Sequence, residues 1–128
     1  RLTGVYGDLR PNKWDRLFTD YLDGRQVPSR AGTEVHGRDV ASAVHLMLTA
    51  DAADIDGCAF NVSDIATDNA AILAEFQEAT GCPHALPPQA KRDQVMAMPT
   101  DRIRQLGWQP GGPPLLRQTV RLLAEAYR

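Results

Sequence analysis

Apolar residues recur at helical spacing in four stretches of this chain. Trp14, Leu17, Phe18, Tyr21 and Leu22 fall at i, i+3, i+4, i+7 and i+8, so they share one face of an amphipathic helix that starts near Asn12 and stops at Gly24. Val40, Val44, Met47 and Leu48 mark a second helix, with Asp39 where a carboxylate would cap the free N–H groups of the first turn. Ile72, Leu73, Phe76 and Ala79 form the inner face of a third, with Thr67 or Asp68 as its cap and Gly81 as its stop. Leu116, Val120, Leu123 and Tyr127 give the last helix its buried face, and Thr100 to Leu106 reads as a short capped helix before it.

Between these helices lie short β-prone runs: Leu2 to Tyr6, Thr33 to His36 and Ala59 to Val62. Proline and glycine punctuate the rest, at Pro28 to Gly32, Pro83 to Pro88 and Gly107 to Gly112. Strands that alternate with helices predict an α/β architecture with parallel strands, because a parallel pair needs a crossover between its members.

At 128 residues the chain is near the size of one domain, and it holds no internal repeat or low-complexity segment. Fourteen basic and sixteen acidic residues leave a net charge of −2, which gives no general attraction to nucleic acid or anionic membranes. No apolar run approaches the roughly 20 residues that a membrane helix needs. Cys58 and Cys82 are too few for a disulfide framework and read as reduced thiols, which suits a cytoplasmic setting. His36, His45, Cys58 and Cys82 share no metal-ligand spacing, and nothing sets a base beside Ser63 to make it a nucleophile.

Four segments in order, Arg1 to Gly7, Val35 to Ala43, Ala59 to Asp64 and Leu106 to Pro110, resemble the second half of extended short-chain dehydrogenases, the NAD(P)-dependent epimerase/dehydratase family. The resemblance implies the C-terminal part of a Rossmann-like doubly wound parallel sheet plus the small substrate-binding subdomain. It reads 1–128 as one truncated unit: 1–67 the end of the Rossmann sheet with its substrate-side helices, 68–128 the C-terminal substrate-binding segment. Arg1 then reads as a cut or processed end. The family's glycine-rich Gly-x-x-Gly-x-x-Gly turn, which sets backbone amides against a pyrophosphate, is represented only by Gly4-x-x-Gly7. Its tyrosine acid/base with a lysine four residues on is missing too, since neither Lys13 nor Lys91 follows a tyrosine at that spacing.

By the resemblance, Leu2, Thr3 and Gly4 border the nicotinamide end of the cofactor, NAD or NADP, in an intact protein, while the chain alone is expected to bind neither and to be inactive. Gly4 stands where relatives often carry an asparagine that holds the sugar nucleotide. Lys13, Trp14 and Arg38 are the candidate substrate contacts: the lysine for a phosphate, the indole for a flat group, or equally for the core. Lys91 and Arg92 are placed to reach an anion from the C-terminal loop, with a solvated basic pair as the preferred reading. The expected function is the substrate-binding half of an epimerase, dehydratase or related reductase, with a small molecule such as a nucleotide sugar as partner; the alternative is a non-catalytic binding or regulatory module of the same descent. A strand left bare on one side predicts a homo-oligomer joined through the Leu2 to Tyr6 edge or the Trp14 to Tyr21 helix face.

Overall fold

A computed structural model describes all of residues 1–128. Three short strands, β1 (Gly4–Tyr6), β2 (Ala31–His36) and β3 (Ile65–Asp68), form one mixed sheet in the order β1-β2-β3. Central β2 lies parallel to β1, with Gly4 opposite Glu34 and Tyr6 opposite His36, and antiparallel to β3, with Ala31 opposite Asp68 and Glu34 opposite Ile65. The α/β class is as the pattern predicts, but only one of the two pairs is parallel. The reason lies at Ser63-Asp64. Residues 59–62 run parallel to the start of the chain, joined to it by a Leu2–Val62 bridge and by hydrogen bonds from Arg1 N to Phe60 O and from Val62 N to Arg1 O, both 2.7 Å. The chain then reverses within two residues and must return antiparallel. So Ala59 to Val62 is an extended segment with one bridge, and the regular strand lies three residues beyond it.

Helix α1 (Asp15–Leu22) is the crossover between β1 and β2, as a parallel pair requires. Helices α2 (Gly37–Thr49) and α3 (Ala52–Ile55) lead to the extended segment, α4 (Asn69–Thr80) follows β3 without a loop, and α5 (Asp101–Gln105) and α6 (Gly112–Ala124) complete the chain. The main core joins α1, α4 and α6 through Trp14, Phe18, Tyr21, Leu73, Phe76, Val120 and Leu123. At its centre Phe18 and Phe76 stack with centroids 4.2 Å apart and rings 5° from parallel. A smaller core under α2 and α5 holds Val35, Ala43, Phe60, Val62, Ile103 and Trp108. The Trp14 to Tyr21 face is thus buried inside the chain and is not a surface for a second copy. No helix is long and apolar enough to cross a membrane.

Asp39 does not cap α2. The cap is His36, whose Nδ1 accepts the Arg38 N–H at 2.9 Å, because α2 begins directly at the end of β2 and puts Asp39 inside its first turn. Asp39 instead accepts the Gly111 N–H at 2.8 Å, and its backbone carbonyl accepts the Trp108 indole N–H at 2.9 Å. Asp68 does cap α4: Oδ1 accepts the Ala71 N–H at 2.9 Å and the Arg92 guanidinium at 3.1 Å, and Oδ2 accepts the Ala90 N–H at 2.8 Å. Arg92 is therefore an ion-pair partner of a buried carboxylate rather than half of a solvated pair. Gly81 ends α4 in the left-handed conformation, φ 71°, which suits a residue without Cβ.

Burial raises the Asp68 carboxyl, but the two amides and Arg92 outweigh it and hold the group below the usual range. A lowered folded-state value means that its stabilisation is complete above the ordinary carboxyl range and lost as pH falls through the folded value. Asp68→Ala is expected to cost at least about 2 kcal/mol at pH 7, for a lost cap and lost hydrogen bonds to a charged acceptor. Urea denaturation at pH 7 and pH 3 checks this: the gap between wild type and variant should narrow in acid.

Candidate functional site

A cavity of about 410 Å³ opens between the N-terminal end of α1, strand β2 and the first turn of α4. Lys13, Trp14 and Leu17 wall one side, residues 30–34 form the floor, and Asp68, Asn69 and Ile72 close the other. The turn before α1 is fixed by Asn12, whose amide donates to Gly7 O at 2.7 Å and Leu9 O at 3.0 Å and whose Oδ1 accepts the Trp14 N–H at 3.1 Å. Asp15 accepts the Asn12 N–H at 2.8 Å and the Tyr127 hydroxyl at 2.6 Å, and these bonds keep its carboxyl below its ordinary value. So held, the turn aims Lys13 at β2. Its Nζ lies 2.5 Å from Glu34 Oε2 and 5.5 Å from the centroid of the Trp14 ring.

Gly4 and Glu34 face each other across the parallel pair, and a Cβ on Gly4 would sit 2.8 Å from Glu34 Oε2. The glycine leaves the room that this carboxylate fills. Across the cavity, Asp68 has both oxygens taken, and the Asn69 amide donates to Pro28 O at 2.9 Å. Arg30 is exposed and forms no ion pair, so it is the uncompensated cation of the lining. Of the residues singled out in the sequence, Lys13 and Trp14 line this cavity, Trp14 with only 7% of its surface exposed and stacked on Tyr6 at 5.4 Å. Gly4 touches it through Glu34. Leu2 lies at the bridge to Val62, and the Thr3 hydroxyl donates to Ser63 Oγ at 3.1 Å. Arg38 is exposed on the first turn of α2, outside the cavity. Sequence reading missed Arg30 and Glu34. Their signal was the alternation of Arg30, Gly32 and Glu34, which a strand puts on one face, had the strand been started before Thr33.

A second polar cluster lies where β1 meets the Gly111-Gly112 turn. The Tyr6 hydroxyl is buried without a hydrogen-bond partner, and burial, with the Asp64, Asp39 and Glu34 carboxylates, raises its phenol far above the ordinary value. Burial thus favours the neutral phenol over the phenolate. His36, edge-on to Tyr6 at 5.0 Å, is lowered by burial and then by Arg38, which leaves it neutral and able to accept the capping N–H. Asp64 accepts the Gly112 N–H at 2.8 Å, yet burial, with help from Asp39, raises its carboxyl despite that bond. A raised folded-state value means that stability is greatest below the ordinary carboxyl range and declines as pH rises through the folded value. Asp64→Asn, which keeps an acceptor without the charge, should therefore be more stable than wild type at pH 7 and equal to it near pH 3. Urea midpoints of both proteins at the two pH values measure the difference; a less stable variant at pH 7 would refute the argument.

No protein-family profile matches the sequence. No curated protein matches it either. Solved structures do. A UDP-glucose 4-epimerase from Thermotoga maritima, determined with UDP-glucose, superposes with a TM-score of 0.67 at 22% identity, over 100% of this chain and 44% of its own. A UDP-galactose 4-epimerase gives 0.65 at 18%, over 99% of this chain and 43% of its own. RMD from Pseudomonas aeruginosa, determined with NADPH, gives 0.66 at 16%, over 99% and 46%. This chain thus has, end to end, the fold of a part of these Rossmann-type proteins, and spans less than half the length of each.

Proposed function

We propose that this chain is the substrate-binding part of an NAD(P)-dependent sugar-nucleotide epimerase/dehydratase or a related reductase, and that the dinucleotide site and the proton-transfer groups lie outside these residues. The observation that carries the reading is the end-to-end fold likeness to less than half of each of three proteins, two of them epimerases and one holding NADPH. The cavity beside β2 supports it, since Lys13, Arg30 and the edge of Trp14 give it cations and a flat apolar wall. Substrate would sit there, and Leu2, Thr3 and Gly4 would border the nicotinamide end of a cofactor held elsewhere.

The residues present do not fit a dinucleotide on their own. A pyrophosphate needs free amides at a helix N-terminus, as glycine-rich turns provide. Here the first turns of α2 and α4 are capped by His36 and Asp68, the turn into α1 is closed by Asn12 and Asp15, and Gly111 and Gly112 before α6 donate to Asp39 and Asp64. No catalytic step is therefore assigned to this chain. In support of self-association, β1 is paired on one side only, and Leu2, Val5, Val44 and Leu48 are exposed, Leu48 by 80%. We propose that a second copy covers this edge when the chain is alone.

Titration calorimetry with NAD and with NADP is expected to show no binding tighter than millimolar; micromolar affinity for either would place the cofactor site here and overturn the reading. Light scattering on a size-exclusion column should give the mass of a dimer at high micromolar concentration, and Val5→Lys with Leu48→Lys should return it to a monomer. A monomeric wild type would show that the edge needs no second copy.

A further inference from the structure

The floor of the cavity carries more information than its walls. Gly32 and Glu34 occupy alternate positions of β2, and Arg30, just before the strand, continues the alternation with its carbonyl accepting the Asn69 N–H at 2.9 Å; all three line the cavity, and the outer two are about 13 Å apart at the ordinary strand rise. Between them a Cβ at Gly32 would meet nothing within 4 Å. The result is a bare slot with a free guanidinium at one end and a Lys13–Glu34 ion pair at the other. The Glu34 side chain is only 15% exposed. Its Oε2 takes Lys13, while Oε1 has no protein donor, and Lys13 keeps further N–H groups to give. A carboxylate beside an ammonium offers an acceptor and a donor side by side, the arrangement that adjacent hydroxyls of a sugar can satisfy.

Charge decides what else fits. Asp68 is neutralised by Arg92 and two amides, and Lys13 by Glu34, so Arg30 alone is uncompensated. A nucleoside diphosphate would bring several negative charges against the half-buried Glu34, with one cation to offset them. On the reading of this cavity as the substrate site, and on its related-reductase form rather than its sugar-nucleotide form, we propose that Glu34, admitted by the missing side chain of Gly4, is its specificity-determining residue. The site then takes a sugar bearing one anionic group, a carboxylate or a monophosphate: Arg30 holds the anion, the Lys13–Glu34 pair reads adjacent hydroxyls, and nucleoside diphosphates are disfavoured.

Amide chemical shifts of the ¹⁵N-labelled chain, followed during titration with glucuronate, glucose 6-phosphate, glucose, inorganic phosphate and UDP, test this. Shifts should centre on residues 13, 30–34 and 69, with glucuronate or glucose 6-phosphate bound more tightly than UDP, glucose or phosphate. The stronger of the two sugars identifies the anion. Glu34→Gln should weaken that sugar about tenfold, the worth of one hydrogen bond to a charged group, and strengthen UDP. Arg30→Gln should reduce its affinity to that of glucose. Gly4→Ala, which displaces the Glu34 carboxylate without removing it, should act in the same direction as Glu34→Gln, and the spectra themselves report whether each variant is folded. UDP bound more tightly than both sugar anions at these amides would overturn the specificity while leaving the cavity as the substrate site. Silence of the cavity amides with every ligand would overturn both.

Discussion

Strand β2 has two neighbours of opposite direction, and most of the structure follows from that constraint. Parallel pairing with β1 requires a crossover, which is α1, and the crossover begins with the Asn12 turn that brings Lys13 over Glu34. Antiparallel pairing with β3 sets Asp68 opposite Ala31, at the rim of the same cavity, and starts α4 there. Floor, wall and rim are therefore consequences of one strand's hydrogen bonding. No separate device is needed to assemble the cavity.

The aromatic core fixes the angle at which these parts meet. Phe18 from α1 and Phe76 from α4 stack face to face, and Tyr127 packs edge-on against both, at 5.7 and 5.6 Å. Such pairs contribute beyond the area they bury, by about 0.5–1.5 kcal/mol each. They also tie the C-terminal turn to the cavity wall, since the Tyr127 hydroxyl donates to Asp15, which in turn holds Asn12. Packing far from the cavity thus sets the position of Lys13.

Two buried aspartates show how the same side chain acquires opposite electrostatics. Asp68 gains two amides and a guanidinium, enough to overcome the loss of water. Asp64 gains one amide and faces Asp39, and burial prevails. The number of donors that the fold delivers decides the sign.

The sequence alone marked α1, α2, α4, α5 and α6, though not the single turn α3, because apolar spacing such as Trp14, Phe18, Tyr21 and Phe76 to Ala79 is a local property that needs no partner to be read. It also determined the stop at Gly81 and the α/β class, narrowed the α4 cap to Thr67 or Asp68, of which the structure uses Asp68, and marked Lys13 and Trp14, both of which line the cavity. Tertiary structure decided the rest. The direction of β3 depends on how tightly the chain turns at Ser63-Asp64 after lying beside Leu2, a contact about sixty residues away in sequence. Whether Asp39 caps a helix or holds the Gly111 turn depends on where β2 ends. Arg30 and Glu34 become one surface only when β2 is extended between two neighbours, and Gly4 acquires its meaning only from the carboxylate that the parallel register sets against it. Local patterns record what a segment does on its own; pairing over long sequence distances records which side chains share a space.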